Sequence, residues 1–191
     1  MRRDPGLGHE ATMGDARLPV TAWFGLGGNV GDRMANLAHA LALLSQSCVS
    51  VASSSVFETP PWGDLDQPSF LNLVARGTTW LEPGSLLARV KEVERIVGRR
   101  PTRRWGPRVV DVDILSYGNL VVSMDALEIP HPRMAERAFV MIPLADLDPD
   151  WVHPATGATA SVLVNALPAQ EREGVVRVGP APVFGFPESR A

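Results

Sequence analysis

At 191 residues, 45% hydrophobic and 20% charged, the chain is long enough for one domain with a substantial core and too short for two of ordinary size. A formal charge of -3 argues against general affinity for nucleic acid, and the single cysteine, Cys48, excludes an internal disulfide or a cysteine metal site. No stretch approaches the roughly 20 apolar residues of a membrane span, and residues 1–18 hold no apolar signal core, so a cytoplasmic protein that binds no membrane is expected.

Residues 1–18, rich in Gly, Arg and Asp, read as a flexible extension, followed by one domain over 19–168 and a peripheral tail over 169–191. Val20 to Leu26 is a strand running into the glycine turn Gly25-Leu26-Gly27-Gly28-Asn29-Val30-Gly31. Asp32 then caps a helix whose apolar stripe is Leu37, Ala40, Leu41 and Leu44. A dinucleotide fingerprint would need glycine where Val30 stands and an acid ending the next strand, and both are missing, so the glycines read as a close approach of backbone to another segment. Val49 to Phe57 is a second strand, the Pro- and Gly-rich stretch from Thr59 to Pro68 a long loop, and Phe70 to Thr79 a third strand. Phe70 and Asn72 share a face of that strand, either as a ring and an amide that stack on and bond to a heteroaromatic ligand, or as a core phenylalanine beside an asparagine.

Pro83 begins a helix with inner face Leu86, Val90, Val93 and Val97, Glu94 beside it, and Gly98 at its end. Arg95, Arg99, Arg100, Arg103, Arg104 and Arg108 then place six of the chain's 18 basic residues within fourteen positions. The run closes on Arg104-Trp105-Gly106-Pro107-Arg108 and delivers the chain into a strand from Val109 to Tyr117. Asp111 and Asp113 point from the same face of that strand, with α-carbons about 6.6 Å apart. Two such carboxylates repel unless protons or a cation intervene, and their oxygens suit Mg²⁺, while the guanidiniums match phosphate oxygens. Metal plus arginine implies a polyphosphate. A Gly118-Asn119 turn and a short strand near Leu120 to Val122 follow, then an irregular stretch from Pro130-His131-Pro132 and helical pieces near 134–146 and 158–166. His131 is open to a structural or a catalytic reading, and Phe139 and Trp62 share the ambiguity of Phe70. The order βαββαβ gives an α+β fold: a ferredoxin-like α/β sandwich, mainly antiparallel sheet with helices packed on it.

Taken in order, Gly27-x-Asn29, Thr59-Pro-Pro61, Asp66-Gln67-Pro68, Phe70-x-Asn72, Glu94, the block from Arg104 to Asp113-Ile114, and Pro130-His131 resemble the 6-hydroxymethyl-7,8-dihydropterin pyrophosphokinases of folate biosynthesis over about residues 20 to 167. The resemblance implies transfer of the β,γ-pyrophosphate of ATP to the pterin hydroxymethyl group, releasing AMP. Asp111 and Asp113 would hold two Mg²⁺ ions, with Asp113 placed to assist deprotonation of the hydroxyl. Arg99 or Arg100, with Arg104, Arg108, His131 and Arg137, would contact phosphates, and Lys91, Glu94 and Ile114 would face the nucleotide. Phe70 and Phe139 would sandwich the pterin, Asn72 would bond its edge, Thr59, Pro60 and Trp62 would complete its recognition, and Trp105 would close over it on a loop from Gly98 to Pro107.

The expected partners are therefore small molecules and no nucleic acid, handled by a monomer. A nucleotidyltransferase is the enzymatic rival, but there the glycine turn and the acid pair lie close in sequence, whereas Gly28 and Asp111 are 83 positions apart. A non-catalytic ferredoxin-like RNA binder would have no use for paired acids.

Overall fold

The structure, a computed structural model, describes residues 18–61, 66–100, 106–124 and 126–184. The expected roles of Trp62, Arg104 and Trp105, most of the extension and the end of the tail lie outside these residues.

Strand β1 (Val20–Gly28) lies inside the sheet, flanked on both sides, and leads into helix α1 (Arg33–Leu44). Asp32 caps that helix by accepting a hydrogen bond from the Ala35 N–H at 3.0 Å. The glycines expected to form a turn instead lie within the strand: Gly25, Gly27 and Gly28 are paired to both neighbours or to one, and Gly31, with φ of 71°, makes the turn. The expected strand from Val49 to Phe57 is broken into β2 (Val49–Ser53) and β3 (Val56–Thr59). Side-chain bonding at the two intervening serines explains the break. Ser54 Oγ takes the Val74 N–H that a backbone carbonyl would take in a ladder, although the Ser54 N–H still bonds the Val74 carbonyl, and the Ser55 N–H donates to Asp146.

Strand β4 (Phe70–Thr79) pairs with β1, β2 and β3, all antiparallel. Helix α2 (Pro83–Val97) ends at Gly98, whose φ of 112° only glycine adopts without strain. Strand β5 (Asp111–Tyr117) pairs with the other side of β1, so with β2 and β3 counted as one broken strand the order is that of a ferredoxin-like sandwich. The strand expected near Leu120 to Val122 is β6 (Val122–Met124), and it pairs with an unexpected β7 (Leu127–Ile129) as a separate ribbon. After a tight 3-10 turn (Met134–Glu136) come α3 (Ala138–Leu147) and α4 (Ala160–Ala166). The stretch read as a tail from 169 adds α5 (Ala169–Glu173) and β8 (Val176–Gly179), which pairs with β3 and forms one edge of the sheet.

The sheet carries a core on each face. Ala22, Phe24 and Leu26 of β1 pack with α1 and α2 through Leu37, Leu41, Leu86 and Val90. Trp23, Val74 and Leu115 pack on the other face against Met134, Met141 and Leu144 around α3. Period-2 alternation therefore assigns Asp111, Asp113, Phe70 and Asn72 to the α3 face.

Candidate active site

On that face the register sets a row across three strands: Asp111 on β5 lies opposite Gly27 on β1, which lies opposite Asn72 on β4. Asp113 lies likewise opposite Gly25. With neighbouring strands about 4.8 Å apart, the carboxylate strand and the asparagine strand are separated by about 10 Å. The glycines between them carry no side chain, so the floor of the cleft stays open. A Cβ on Gly27 would come within 2.6 Å of Asn72 Oδ1, and one on Gly28 within 2.2 Å of the Val109 carbonyl oxygen. The expected close approach is thus real, but it belongs to a strand and not to a turn.

The resulting cleft has a volume of about 720 Å³ and is lined at one end by Arg108, Asp111, Asp113, His131 and Arg137. At the other end stand Thr59, Pro60, Phe70, Asn72 and Phe139. Asn72 is buried and donates to Thr59 Oγ1 at 2.8 Å, which fixes its amide and leaves Oδ1 against Gly27. Arg108 connects the two ends: Nη1 pairs with Asp111 Oδ2 at 2.6 Å, and its guanidinium lies 5.6 Å from the centroid of the Phe70 ring. Its buried Nε has no hydrogen-bond partner among the described residues. Arg137 stands similarly over Phe139, at 5.6 Å from the ring centroid.

Asp113 makes no hydrogen bond or ion pair within the described residues. Burial, and then the charge of Asp111, push its carboxyl above the usual range, while His131, Lys91 and Arg137 pull the other way. His131 is shifted down, chiefly by burial, and its Nδ1 accepts the Arg133 N–H at 3.2 Å. Burial likewise lowers Arg137, with Arg133 adding to it. A half-buried carboxylate with no partner among the described residues, beside a second one and with only oxygen donors, fits a hard divalent cation. Among the described residues no third acid, histidine or cysteine joins them, so the remaining ligands of such an ion would come from substrate or water.

Glu94 sits at the free edge of β5 and accepts the Val112 N–H at 2.8 Å. Arg99 bridges Glu94 and Asp111, and Lys91 pairs with Glu94 at 3.1 Å. Burial is the largest influence on Glu94 and raises its carboxyl, against the opposing effects of Val112, Lys91 and Arg99. Arg100, the neighbouring candidate, is exposed. Ile114 points to the opposite face and is buried among α1 and α2, so only its backbone could meet a nucleotide.

Several contributors had no role in the sequence reading, Asn29 being quoted there only as a motif residue. Asn29 is 3% exposed; it donates to the Pro68 carbonyl at 3.0 Å and accepts the Arg108 N–H at 2.8 Å, tying together the segments that carry Phe70 and Arg108. Arg33 clamps Glu58 at 2.7 Å beside Thr59. Gln170, Glu171, Gly174 and Val175 also line the cleft. For the last group the Val175-Val176 pair was the one available signal.

Comparison with known proteins converges on one family. The family model described as 7,8-dihydro-6-hydroxymethylpterin-pyrophosphokinase (HPPK) matches residues 23–149. A 2-amino-4-hydroxy-6-hydroxymethyldihydropteridine pyrophosphokinase of Methylorubrum extorquens is 46% identical over 133 residues, covering 69% of this chain and 84% of the relative. The mitochondrial folate synthesis bifunctional protein of Arabidopsis thaliana is 47% identical over 123 residues, covering 64% of this chain and 22% of the larger protein. Among solved structures, a Plasmodium falciparum HPPK-DHPS is similar with a TM-score of 0.65 at 17% identity, over 80% of this chain and 45% of that one. The chain thus spans less than half the length of these composite proteins, and the Plasmodium likeness bears on the fold alone.

Proposed function

The chain belongs to the 7,8-dihydro-6-hydroxymethylpterin-pyrophosphokinase family, and we propose that it transfers pyrophosphate from ATP to 6-hydroxymethyl-7,8-dihydropterin in folate biosynthesis through the cleft between Asp111 and Phe139. The observation that carries the site assignment is the row Asp111, Gly27, Asn72, which sets an anionic end and a ring-sized end on one open floor. On this reading residues 19–168 form the catalytic domain, to which α5 and β8 add a wall and an edge strand, and it works as a cytoplasmic monomer on small molecules, without nucleic acid or membrane. No helix among the described residues is long and apolar enough to cross a membrane.

In the reaction the pterin hydroxyl oxygen forms a bond to the β-phosphorus, the bond from that phosphorus to the α-phosphate oxygen breaks, and AMP leaves. Phosphoryl transfer of this kind depends on alignment and charge stabilisation more than on a protein nucleophile. Phe70 and Phe139 hold the ring from two sides, and Asn72, fixed by Thr59, bonds its edge. Arg108, His131 and Arg137 receive the phosphates, with Arg99 and Arg104 adding positive charge. Arg108 Nε, buried without a partner among the described residues, is a donor ready for an anion. Asp111 and Asp113 would hold two Mg²⁺ ions, which when bound neutralise phosphate charge and acidify the hydroxyl. Asp113, which has no partner among the described residues, takes the hydroxyl proton. Trp62 and Trp105 complete the pterin site, and Lys91, Glu94 and the backbone at Ile114 face the nucleotide.

Incubation with ATP, Mg²⁺ and the dihydropterin should yield AMP and the pterin diphosphate, and chelation should stop it. ADP as product would reject the transfer, and full turnover under EDTA would reject the metal.

A further inference from the structure

One wall of the cleft lies outside the region matched to the family. Gln170, Glu171, Gly174 and Val175 line it, and all four follow residue 149, where that match ends. Two observations support placing this wall at the ring end. A Cβ on Gly174 would stand 3.8 Å from Pro60 Cδ, and Val175 packs against the same apolar cluster as Phe139. The segment is braced from both sides. Val176 of β8 is registered opposite Glu58, one residue before Thr59, and α5 packs on α3, the helix that carries Phe139. The φ of Gly174 is -72°, so its backbone would accept any side chain. What its missing side chain provides is room and not a turn.

We infer that residues 170–175 form a third wall of the pterin end and that Gly174 sets how large an occupant this end admits. The inference rests on the reading of Phe70 and Phe139 as the ring sandwich. A Cβ at 174 would stand 3.5 and 3.7 Å from the carbonyl oxygens of Glu171 and Gln170 and 3.8 Å from Pro60 Cδ, all ordinary contacts. Gly174 itself lines the cleft, so a longer side chain there reaches into it. Lengthening that side chain therefore competes with the pterin and leaves the phosphate end, across the floor, untouched.

The test measures the Kd of the dihydropterin by calorimetry in the presence of Mg²⁺ and a non-hydrolysable ATP analogue, and the Kd of the analogue alone, for Gly174→Ser and Gly174→Leu. The dihydropterin Kd should rise with side-chain size, by about tenfold or more for leucine, while the analogue Kd stays within about twofold. Equal pterin affinity across the series, or parallel loss of both ligands, overturns the wall. Should the leucine variant not fold, Gly174→Ser and Val175→Ala decide it: each is expected to change pterin affinity alone, and no change in either overturns the proposal. Phe70→Ala separates the premises. If it keeps wild-type pterin affinity the sandwich itself is wrong, whereas its loss beside an inert Gly174 series removes only the wall.

Discussion

Asp113 shows how a functional residue conflicts with the fold that holds it. Its ordinary pKa of 3.8 is raised in the folded protein, first by burial and then by Asp111. The folded state therefore keeps this proton to higher pH than the unfolded chain does, so the contribution favours folding below about 3.8 and is withdrawn as pH rises through the folded value. Asp113→Asn should melt at higher temperature than wild type at pH 7 without ligands, with the gap closing on acidification; a variant no more stable than wild type at pH 7 would contradict the burial argument. The same change should lower turnover by on the order of 10²-fold or more, as loss of one preorganised charge at a reacting phosphate does. Gly28→Ala should cost about 1–3 kcal/mol in chemical denaturation, because the atom it strikes is the Val109 backbone oxygen, which cannot rotate away. That the two aspartates share a face was legible from strand periodicity alone. That Ile114 must then face the opposite core follows from the same rule, yet its place in a motif hid it. The role of Gly25 and Gly27 as a floor was not legible, since spacing within β1 does not say which strands flank it.

Among the elements, β5 is an edge strand whose outer side is closed by a side chain instead of another strand. Glu94 accepts the buried Val112 N–H, and Lys91 and Arg99 hold the carboxylate in place. Glu94→Ala should therefore cost about 1–3 kcal/mol, the usual penalty of an orphaned buried donor, and Glu94→Gln, which retains an acceptor, should cost less. Equal losses in the two variants, read from denaturation midpoints, would mean that the anion and not the acceptor matters. Helix positions in α1 and α2 were readable because their stripes repeat at helical spacing and their ends carry Asp32 and Gly98. Strand ends were not: the break at Ser54 and Ser55 depends on Val74 and Asp146, and β8 exists because β3 offers it an edge. These partners are remote in sequence, and local propensity carries no information about them.

For the molecule as a whole, the sheet is the shared wall of two cores, so neither can dissolve without exposing the back of the other. Leu41→Ala on one side and Leu144→Ala on the other should each cost about 2–5 kcal/mol and leave a single unfolding transition. Two separated transitions in calorimetry would show that the cores melt independently. The fold class was visible in the order of elements, whereas the second core was only partly so: α3 is apolar nearly all round and interrupted by Pro143, and such a helix announces burial without announcing a face. The network around Asp111 has one further consequence. Arg99 and Arg108 both pair with its carboxylate, so the anionic end of the cleft carries its own counter-cations. A phosphate-bearing inhibitor has to displace cations from a carboxylate as it enters, while a flat ring lodged between Phe70 and Phe139 leaves those pairs whole; potency would be sought through charge exchange at one end of the cleft and through shape at the other.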